Sequence, residues 1–203
     1  GFATVSAVAR EIDRDLPFGL VRETIGPLIG RSGAAGASLF DGMAGLARPI
    51  FEPDPAAPAD RGGELHGLYW LISNLSESRP LALLVDDAQW ADDQSGHWLA
   101  HLAGRVADLP VVLVVAVREG EPELERDPLA ALLDLPATAI EPGALSRDAV
   151  RRLIADQLGP EVTDGFAETC REATGGNPFL VTQLSAALEL SGSEPADAAV
   201  DEV

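Results

Sequence analysis

The sequence predicts an α/β fold in which a parallel sheet is followed by a helical region. Two continuous apolar runs, at residues 81–85 and 111–117, have the composition of strands that are buried on both faces. Residues 92–107, between them, repeat apolar side chains at helical spacing, and Asp92 occupies the N-cap position. The order strand, helix, strand predicts a βαβ unit of parallel strands over residues 81–118.

The region before this unit contains further predicted elements. Residues 3–8 (ATVSAV) could form a strand. Apolar residues at helical spacing predict helices over 18–29, 39–50 and 64–76. The proline-rich stretch 51–63 has almost no large apolar residues, so we expect an exposed linker or loop there.

The region after the βαβ unit changes character. Residues 129–133 have a helical pattern, and 137–140 could form a short strand. From residue 146 onward the pattern is helical: Ser146 suits the N-cap of one helix, and two more are predicted over 162–173 and 179–190. The C-terminal half of the sequence is therefore predicted to end in a group of helices.

These patterns divide the 203-residue chain into three predicted parts. Residues 1–143 form the α/β core, and 144–190 form a helical subdomain. Residues 191–203 are small and acidic and include a proline, which is typical of a flexible tail.

The composition excludes several functional classes. The net charge of −19 opposes contact with a nucleic-acid backbone or an anionic membrane surface, so we expect no direct nucleic-acid binding and no membrane binding. Cys170 is the single cysteine, which excludes an internal disulfide. The longest apolar run, 111–117, is too short to cross a bilayer, and no signal peptide precedes it. We therefore expect a soluble, cytoplasmic protein.

The basic residues exclude a complete phosphate-binding P-loop. All 14 of them are arginine, and the sequence contains no lysine. A phosphate-binding P-loop needs a lysine that reaches the β- and γ-phosphates, so these residues cannot include a complete P-loop. The glycine-rich stretch 30–36 also lacks a convincing preceding strand, and we interpret it as a helix connection rather than a phosphate cradle.

The strongest candidate site is the pair Asp86-Asp87, which directly follows the apolar strand. Ligands of open parallel sheets bind outside the carboxyl ends of the strands. An apolar strand that ends in paired acids is the Walker B arrangement. In it the first carboxylate holds Mg²⁺ and the second orients or deprotonates the attacking water. The alternative is that aspartate stands there because it favours turns and helix caps.

The residues that follow the pair make the pattern more specific. Residues 86–95 (DDAQWADDQS) resemble the signature that follows Walker B in the STAND-class ATPase module of large LuxR-type transcriptional regulators. Residues 10–22 resemble the segment after the P-loop helix and second strand of that family. Residues 109–118 resemble its fourth strand with the sensor arginine, and 175–180 (GGNPFL) resemble the Gly-Asn-Pro motif of its lid. The resemblance covers roughly residues 1–190.

The resemblance implies a three-layer αβα P-loop NTPase-like sheet, incomplete at its N-terminus, followed by a helical lid subdomain. It implies ATP and Mg²⁺ as cofactors of the intact parent protein, with Asp86 as the metal ligand. Asp87 would be the catalytic base and Arg118 the γ-phosphate sensor. The other residues that it implies at the nucleotide are Trp90, Asp92, Asn177 and Pro178.

Each of these residues also has a purely structural interpretation. Arg118 could form a salt bridge to one of the paired acids, and Trp90 could pack across the end of the strand. Asp92 suits a helix N-terminus, and Asn177 followed by proline suits the N-cap and first position of a helix. The stripe of Asp93, His97 and His101 at helical spacing is interpreted as a solvated helix face rather than a metal site.

The sequence therefore predicts a nucleotide-switch regulatory module that begins after the first strand, the P-loop and its helix. We expect no appreciable ATP binding by this segment itself, so ATP would be a partner of the parent alone. Two alternatives stay open: a nucleotide-independent interaction or signal-sensing module on the same scaffold, and the ATPase module of another signalling protein such as a cyclase or kinase. An unidentified small-molecule or protein inducer and a homo-oligomer are further expected partners.

Overall fold

The computed structural model describes residues 1–53, 61–118, 120 and 128–191. The chain forms two compact units, Gly1–Ala137 and Thr138–Val203. The division falls six residues before the boundary predicted at 143/144. Most of the predicted tail, from residue 192 onward, lies outside the described residues.

A parallel three-stranded sheet organises the first unit. Strands β1 (Ala3–Val8), β2 (Leu81–Asp86) and β3 (Val111–Val115) lie in the order β1-β2-β3, with β2 in the centre. All three predicted strands of this region are present and both pairings are parallel. The prediction of an α/β fold with a parallel sheet is confirmed.

Of the α-helices that the structure describes in the first unit, three lie between β1 and β2, one lies between β2 and β3, and one follows β3. They are α1 (Gly19–Arg31), α2 (Arg48–Phe51), α3 (Arg61–Glu77), α4 (Asp93–Ala103) and α5 (Leu129–Leu133). Helix α4 buries Trp98, Leu99 and Leu102 completely, as its apolar spacing predicts.

The predicted helix over 39–50 is wrong for most of its length. Two 3₁₀ segments, Gly33–Phe40 and Gly42–Ala47, precede the short helix α2. Gly42, the first residue of the second segment, has φ +64°. This left-handed backbone conformation separates the two segments. The predicted linker over 51–63 is also partly wrong, because α3 already begins at Arg61; residues 54–60 lie outside the described residues.

The two faces of the sheet differ in burial. Val5, Leu83 and Leu113 are aligned in the sheet and share one face, and the first two are buried in the core with residues of α1, α3 and α4. Val112 and Val114 project from the other face and are 46% and 49% exposed. The connection from β1 to β2 and the connection from β2 to β3 run in the same direction across the sheet. Right-handed connections that run in one direction place their helices on the same face of the sheet.

The second unit is helical. Its helices are α6 (Arg147–Leu158), α7 (Asp164–Thr174) and α8 (Pro178–Ser191), and all three contribute to one apolar core. Ser146 caps α6 as predicted, because its side chain accepts a hydrogen bond from the Ala149 N–H.

The short strand predicted over 137–140 is wrong, since these residues have no regular secondary structure. Ile140 is exposed, and prolines stand at positions 136 and 142 on either side. Apolar composition alone does not make a strand where no neighbouring strand supplies hydrogen bonds. None of the helices in the described part of the chain combines the length and apolarity that crossing a membrane requires.

Candidate functional site

The carboxyl end of β2 carries the predicted acidic pair. Asp86 is the last residue of the strand, and Asp87 turns the chain with φ +51°. The Asp87 N–H donates to Oδ1 of Asp86 at 2.9 Å. The next N–H, of Ala88, donates to the carbonyl oxygen of Ala116 at 3.0 Å and ties this turn to the chain beyond β3. The turn therefore presents both carboxylates at the edge of the sheet where ligands of parallel sheets bind.

A buried amide joins Asp87 to Arg118. The side chain of Gln89, which is 1% exposed, donates through Nε2 to Oδ1 of Asp87 at 2.9 Å. Its Oε1 accepts from the backbone N–H of Arg118 at 3.2 Å. The Arg118 side chain returns to the same Asp87 oxygen, with Nε 3.2 Å away. We call Asp86, Asp87, Gln89 and Arg118 the edge cluster.

The edge cluster contains the salt bridge that the sequence suggested for Arg118, and it includes one residue, Gln89, that the sequence analysis did not single out. The predicted salt bridge of Arg118 to one of the paired acids is present, and its partner is Asp87. Sequence reasoning missed Gln89. The available signal was its position between the acidic pair and Trp90, because a side-chain amide there can both donate and accept hydrogen bonds.

The chemistry open to the edge cluster follows from its donor set. Asp86 is exposed, and carboxylate oxygens are the ligands that Mg²⁺ prefers, commonly one or two of them together with substrate phosphates. Asp87 is partly exposed and could orient a water molecule. Within the described residues, no three His, Cys, Asp or Glu side chains converge closely enough to form a metal site by themselves. Any Mg²⁺ here would therefore need further ligands from a bound phosphate or from water.

Asp92 has a different environment from the acidic pair. It is 3% exposed, and its Oδ1 accepts from the N–H groups of Phe18 at 2.8 Å and Ser95 at 3.0 Å. Its Oδ2 accepts weakly from Leu20 at 3.4 Å. The predicted N-cap of α4 is confirmed, and the same carboxylate also holds the start of α1. Its predicted role at a nucleotide stays a prediction.

Phe18 shows what Asp92 holds in place. Phe18 has φ +56°. Phe18 and Asp87 are the two non-glycine residues with positive φ in the described part of the chain. Left-handed backbone is unfavourable for a bulky aromatic residue. The hydrogen bond from the Phe18 N–H to Asp92 and the burial of the ring keep the residue in this conformation.

Trp90 is half-buried and lies on a cavity separate from the edge cluster. The cavity has a volume of about 240 Å³ and lies beside the carboxyl end of β1, and both Trp90 and Asp92 line it. None of the four residues of the edge cluster is among its lining.

The predicted lid residues belong to the second unit. Asn177 caps α8: its Oδ1 accepts from the N–H groups of Phe179 at 2.9 Å and Leu180 at 3.3 Å, and Pro178 is the first residue of the helix. Gly176 has φ +70°, and a Cβ there would stand 2.8 Å from the carbonyl oxygen of Leu145. The capping interpretation of this motif is confirmed, and its contact with a nucleotide stays a prediction.

The predicted stripe on α4 makes local contacts. Nδ1 of His97 lies 2.7 Å from the carbonyl oxygen of Asp93, and Nδ1 of His101 lies 3.3 Å from Nη1 of Arg105. Partial burial, with the positive charges of Arg105 and His66, lowers the pKa of His101. The neutral imidazole is therefore favoured in the folded chain.

The single cysteine is not an activated nucleophile. Cys170 is completely buried in the core of the second unit, and burial raises the pKa of its thiol. Since the thiolate is the reactive form, this environment suppresses its reactivity.

Comparisons with protein-family models, with curated proteins and with solved structures found no match. The function must therefore be argued from the geometry of the site.

Proposed function

We propose that this chain is a regulatory module of the nucleotide-switch type, derived from a STAND ATPase of the kind found in large LuxR-type transcriptional regulators. The observation that carries the proposal is the edge cluster, in which the pair at the end of the central strand is joined to Arg118 of the neighbouring chain segment. An acidic pair and an arginine at this edge are what hydrolysis of a phosphoanhydride would use. Without a lysine in these residues, the segment itself does not bind ATP appreciably.

The open side of the sheet supports the three-layer architecture that we propose for the intact parent. All five residues of β3 are apolar, although β3 lies at an edge of the sheet and Val112 and Val114 face outward. Such a strand is typical of a sheet interior covered on both faces. In the proposed parent a further parallel strand pairs with β3, and helices cover the second face.

The proposed roles follow from the contacts. Asp86 would hold Mg²⁺, which would neutralise charge on the transferred phosphate. Asp87 would orient and deprotonate the attacking water. Arg118 neutralises Asp87 in the structure described here, and a γ-phosphate would compete for the same guanidinium. Movement of Arg118 from Asp87 to the phosphate would free the carboxylate at the moment when it is needed.

The first experiment is calorimetric titration of the 203-residue chain with Mg-ATP. We expect no measurable binding at micromolar concentrations. A micromolar affinity would contradict the proposal that this segment alone lacks nucleotide binding.

The second experiment uses the intact parent protein. Asp87→Ala is expected to lower the rate of ATP hydrolysis about 100-fold or more, the usual contribution of a general base. Asp93→Ala is the matched control, because Asp93 is exposed in the same motif and takes no part in the hydrogen bonds and the ion pair of the edge cluster. The rate of this variant should stay close to that of the unmodified parent. Unchanged hydrolysis by Asp87→Ala would remove Asp87 from the catalytic role.

The open apolar face also favours a second candidate, a nucleotide-independent interaction or signal-sensing module on the same scaffold. The sequence of the parent distinguishes the two. A lysine in a P-loop outside residues 1–203 supports the switch, and its absence supports the interaction module. A flanking effector domain would separate a transcriptional regulator from a cyclase or kinase that uses the same ATPase module.

A further inference from the structure

The cavity beside the carboxyl end of β1 is a candidate site that the proposed nucleotide chemistry does not use. Leu16, Leu20 and Trp90 are the large apolar residues among those that line it. Its volume of about 240 Å³ is somewhat below the roughly 300–1,000 Å³ of most small-molecule pockets. The size therefore suits a compact ligand of one ring with a short substituent.

The charged side chains on this cavity are unevenly paired. The guanidinium of Arg10 lies 3.8 Å from Asp13 and 3.7 Å from Glu23, so two carboxylates already balance it. Arg22 also lines the cavity and is exposed, and its side chain makes no hydrogen bond or ion pair within the part of the chain that the structure describes. The oxygens of Asp92 are taken up by backbone N–H groups. Arg22 is thus the lining group whose charge is available to a ligand.

We propose that this cavity binds a small aromatic monocarboxylate. Its carboxylate pairs with the planar fork of Arg22, which matches a carboxylate in a bidentate arrangement. Its ring lies against Trp90, since aromatic rings pack favourably in offset or edge-to-face geometry. The leucines at 16 and 20 complete an apolar surface for the ring.

The acidic side chains of the lining define what the cavity rejects. Arg10, Asp13 and Glu23 also line the cavity and together carry one net negative charge, so a second negative charge on the ligand would be repelled and would have no unpaired cation to meet. This repulsion selects a monocarboxylate over a phosphate ester or a dicarboxylate. The specificity of the cavity therefore differs from that of a nucleotide site.

The test is an NMR titration of the ¹⁵N-labelled 203-residue chain with sodium benzoate. We expect saturable shifts of the Trp90 indole N–H and the Arg22 Nε–H signals, with the indole signal identified by Trp90→Phe. Benzyl alcohol and benzylammonium keep the ring and replace the carboxylate by a neutral or a positive group. The affinity for both should be lower than that for benzoate by about ten-fold or more, because the charge-assisted hydrogen bonds are lost.

Variants assign the selectivity to one residue. Arg22→Gln should weaken benzoate binding about ten-fold. Arg31→Gln removes the same charge from the same helix outside the cavity and should change the affinity by less than about two-fold, since a distant exposed charge is screened. The thermal unfolding temperatures of both variants should match that of the unmodified chain, because both side chains are exposed.

Several outcomes would overturn the proposal. These are the absence of saturable shifts, equal affinity for benzoate and benzyl alcohol, tighter binding of benzylammonium, or unchanged benzoate affinity in Arg22→Gln. Mg-ATP provides the last arm. If it produced the same shifts of the Trp90 and Arg22 signals as benzoate, the cavity would belong to a nucleotide site, and selectivity for a monocarboxylate would be disproved. Absence of these shifts with Mg-ATP supports a separate site.

Discussion

Asp87 and Asp92 lie in the same motif but in opposite environments. Asp87 stands at the edge of the sheet with its side chain 28% exposed, and it contacts the side chains of Gln89 and Arg118. Asp92 is buried, and its carboxylate accepts hydrogen bonds from backbone N–H groups at the starts of two helices. A carboxylate that fixed backbone donors satisfy has a structural role. One that is paired with a long arginine side chain can exchange its partner, as a ligand site requires.

Among the variants that test the difference between Asp87 and Asp92, Asp92→Ala is expected to change the stability most. The change leaves the N–H groups of Phe18 and Ser95 without hydrogen-bond partners in a buried region. Each unsatisfied buried donor costs about 1–3 kcal/mol of stability. We expect the free energy of unfolding of the first unit to fall by about 3 kcal/mol. Tryptophan fluorescence during urea unfolding measures it, since every tryptophan of the chain lies in that unit.

Two controls accompany this measurement. Asp92→Asn keeps an acceptor oxygen and should cost no more than about 1 kcal/mol, because asparagine is also a good N-cap. Asp93→Ala changes an exposed neighbour and should alter stability by less than about 0.5 kcal/mol. The distinction between structural and exchangeable aspartates fails if Asp92→Ala is no more destabilising than Asp93→Ala.

Gln89→Ala is expected to have the next largest effect. The substitution removes the buried amide, which leaves the N–H of Arg118 without its acceptor and Asp87 with one donor fewer. A loss of about 2 kcal/mol follows from the cavity left by the buried side chain and from a partly buried N–H without its acceptor. Gln94→Ala, at a half-buried glutamine of α4, is the matched control. Equal losses in the two variants would mean that Gln89 fills space and does not organise the edge cluster.

The sequence predicts the local features of this region well. The strands β2 and β3, the helix α4 and its N-cap follow from apolar runs, helical spacing and a capping residue, which are signals within short segments. The predicted bond of Arg118 to an acid also follows from two strand ends that must meet at one edge.

The contacts that the sequence does not predict join distant residues. Asp92 holds Phe18, which lies 74 positions away, and Gln89 holds Arg118, which lies 29 positions away. Neither contact leaves a periodic pattern in the sequence. The 3₁₀ segments over 33–47 were missed for a related reason, because a close approach of α3 shapes them: a Cβ at Gly67 would stand 2.5 Å from the backbone nitrogen of Ala47.

The backbone of Asp87 offers a smaller and more selective test. Both Asp87→Gly and Asp87→Ala remove the carboxylate, but glycine accepts a φ of +51° without strain and alanine does not. The glycine variant is expected to be more stable than the alanine variant by about 1 kcal/mol. The exposed bridge to Arg118 contributes little to either value, about 0–1 kcal/mol. If urea unfolding showed equal stability for the two variants, the turn would not be strained.

The smallest expected effect concerns acid, at the other end of the helix that Asp92 caps. His101 lies in the last turn of α4, and partial burial, then Arg105 and His66, lower its pKa below the ordinary value of 6.5. Below about pH 6.5 the unfolded chain binds a proton at this residue that the folded chain resists, so stability falls as the pH decreases.

Urea unfolding at a series of pH values from about 7.5 to 5.5 measures this loss, which should be weaker in His101→Gln because the titrating imidazole is gone. His97→Gln, on the same helix, is the control and should keep the full pH dependence. A pH dependence that His101→Gln leaves unchanged would show that the lowered pKa of His101 does not cause the acid sensitivity of the first unit.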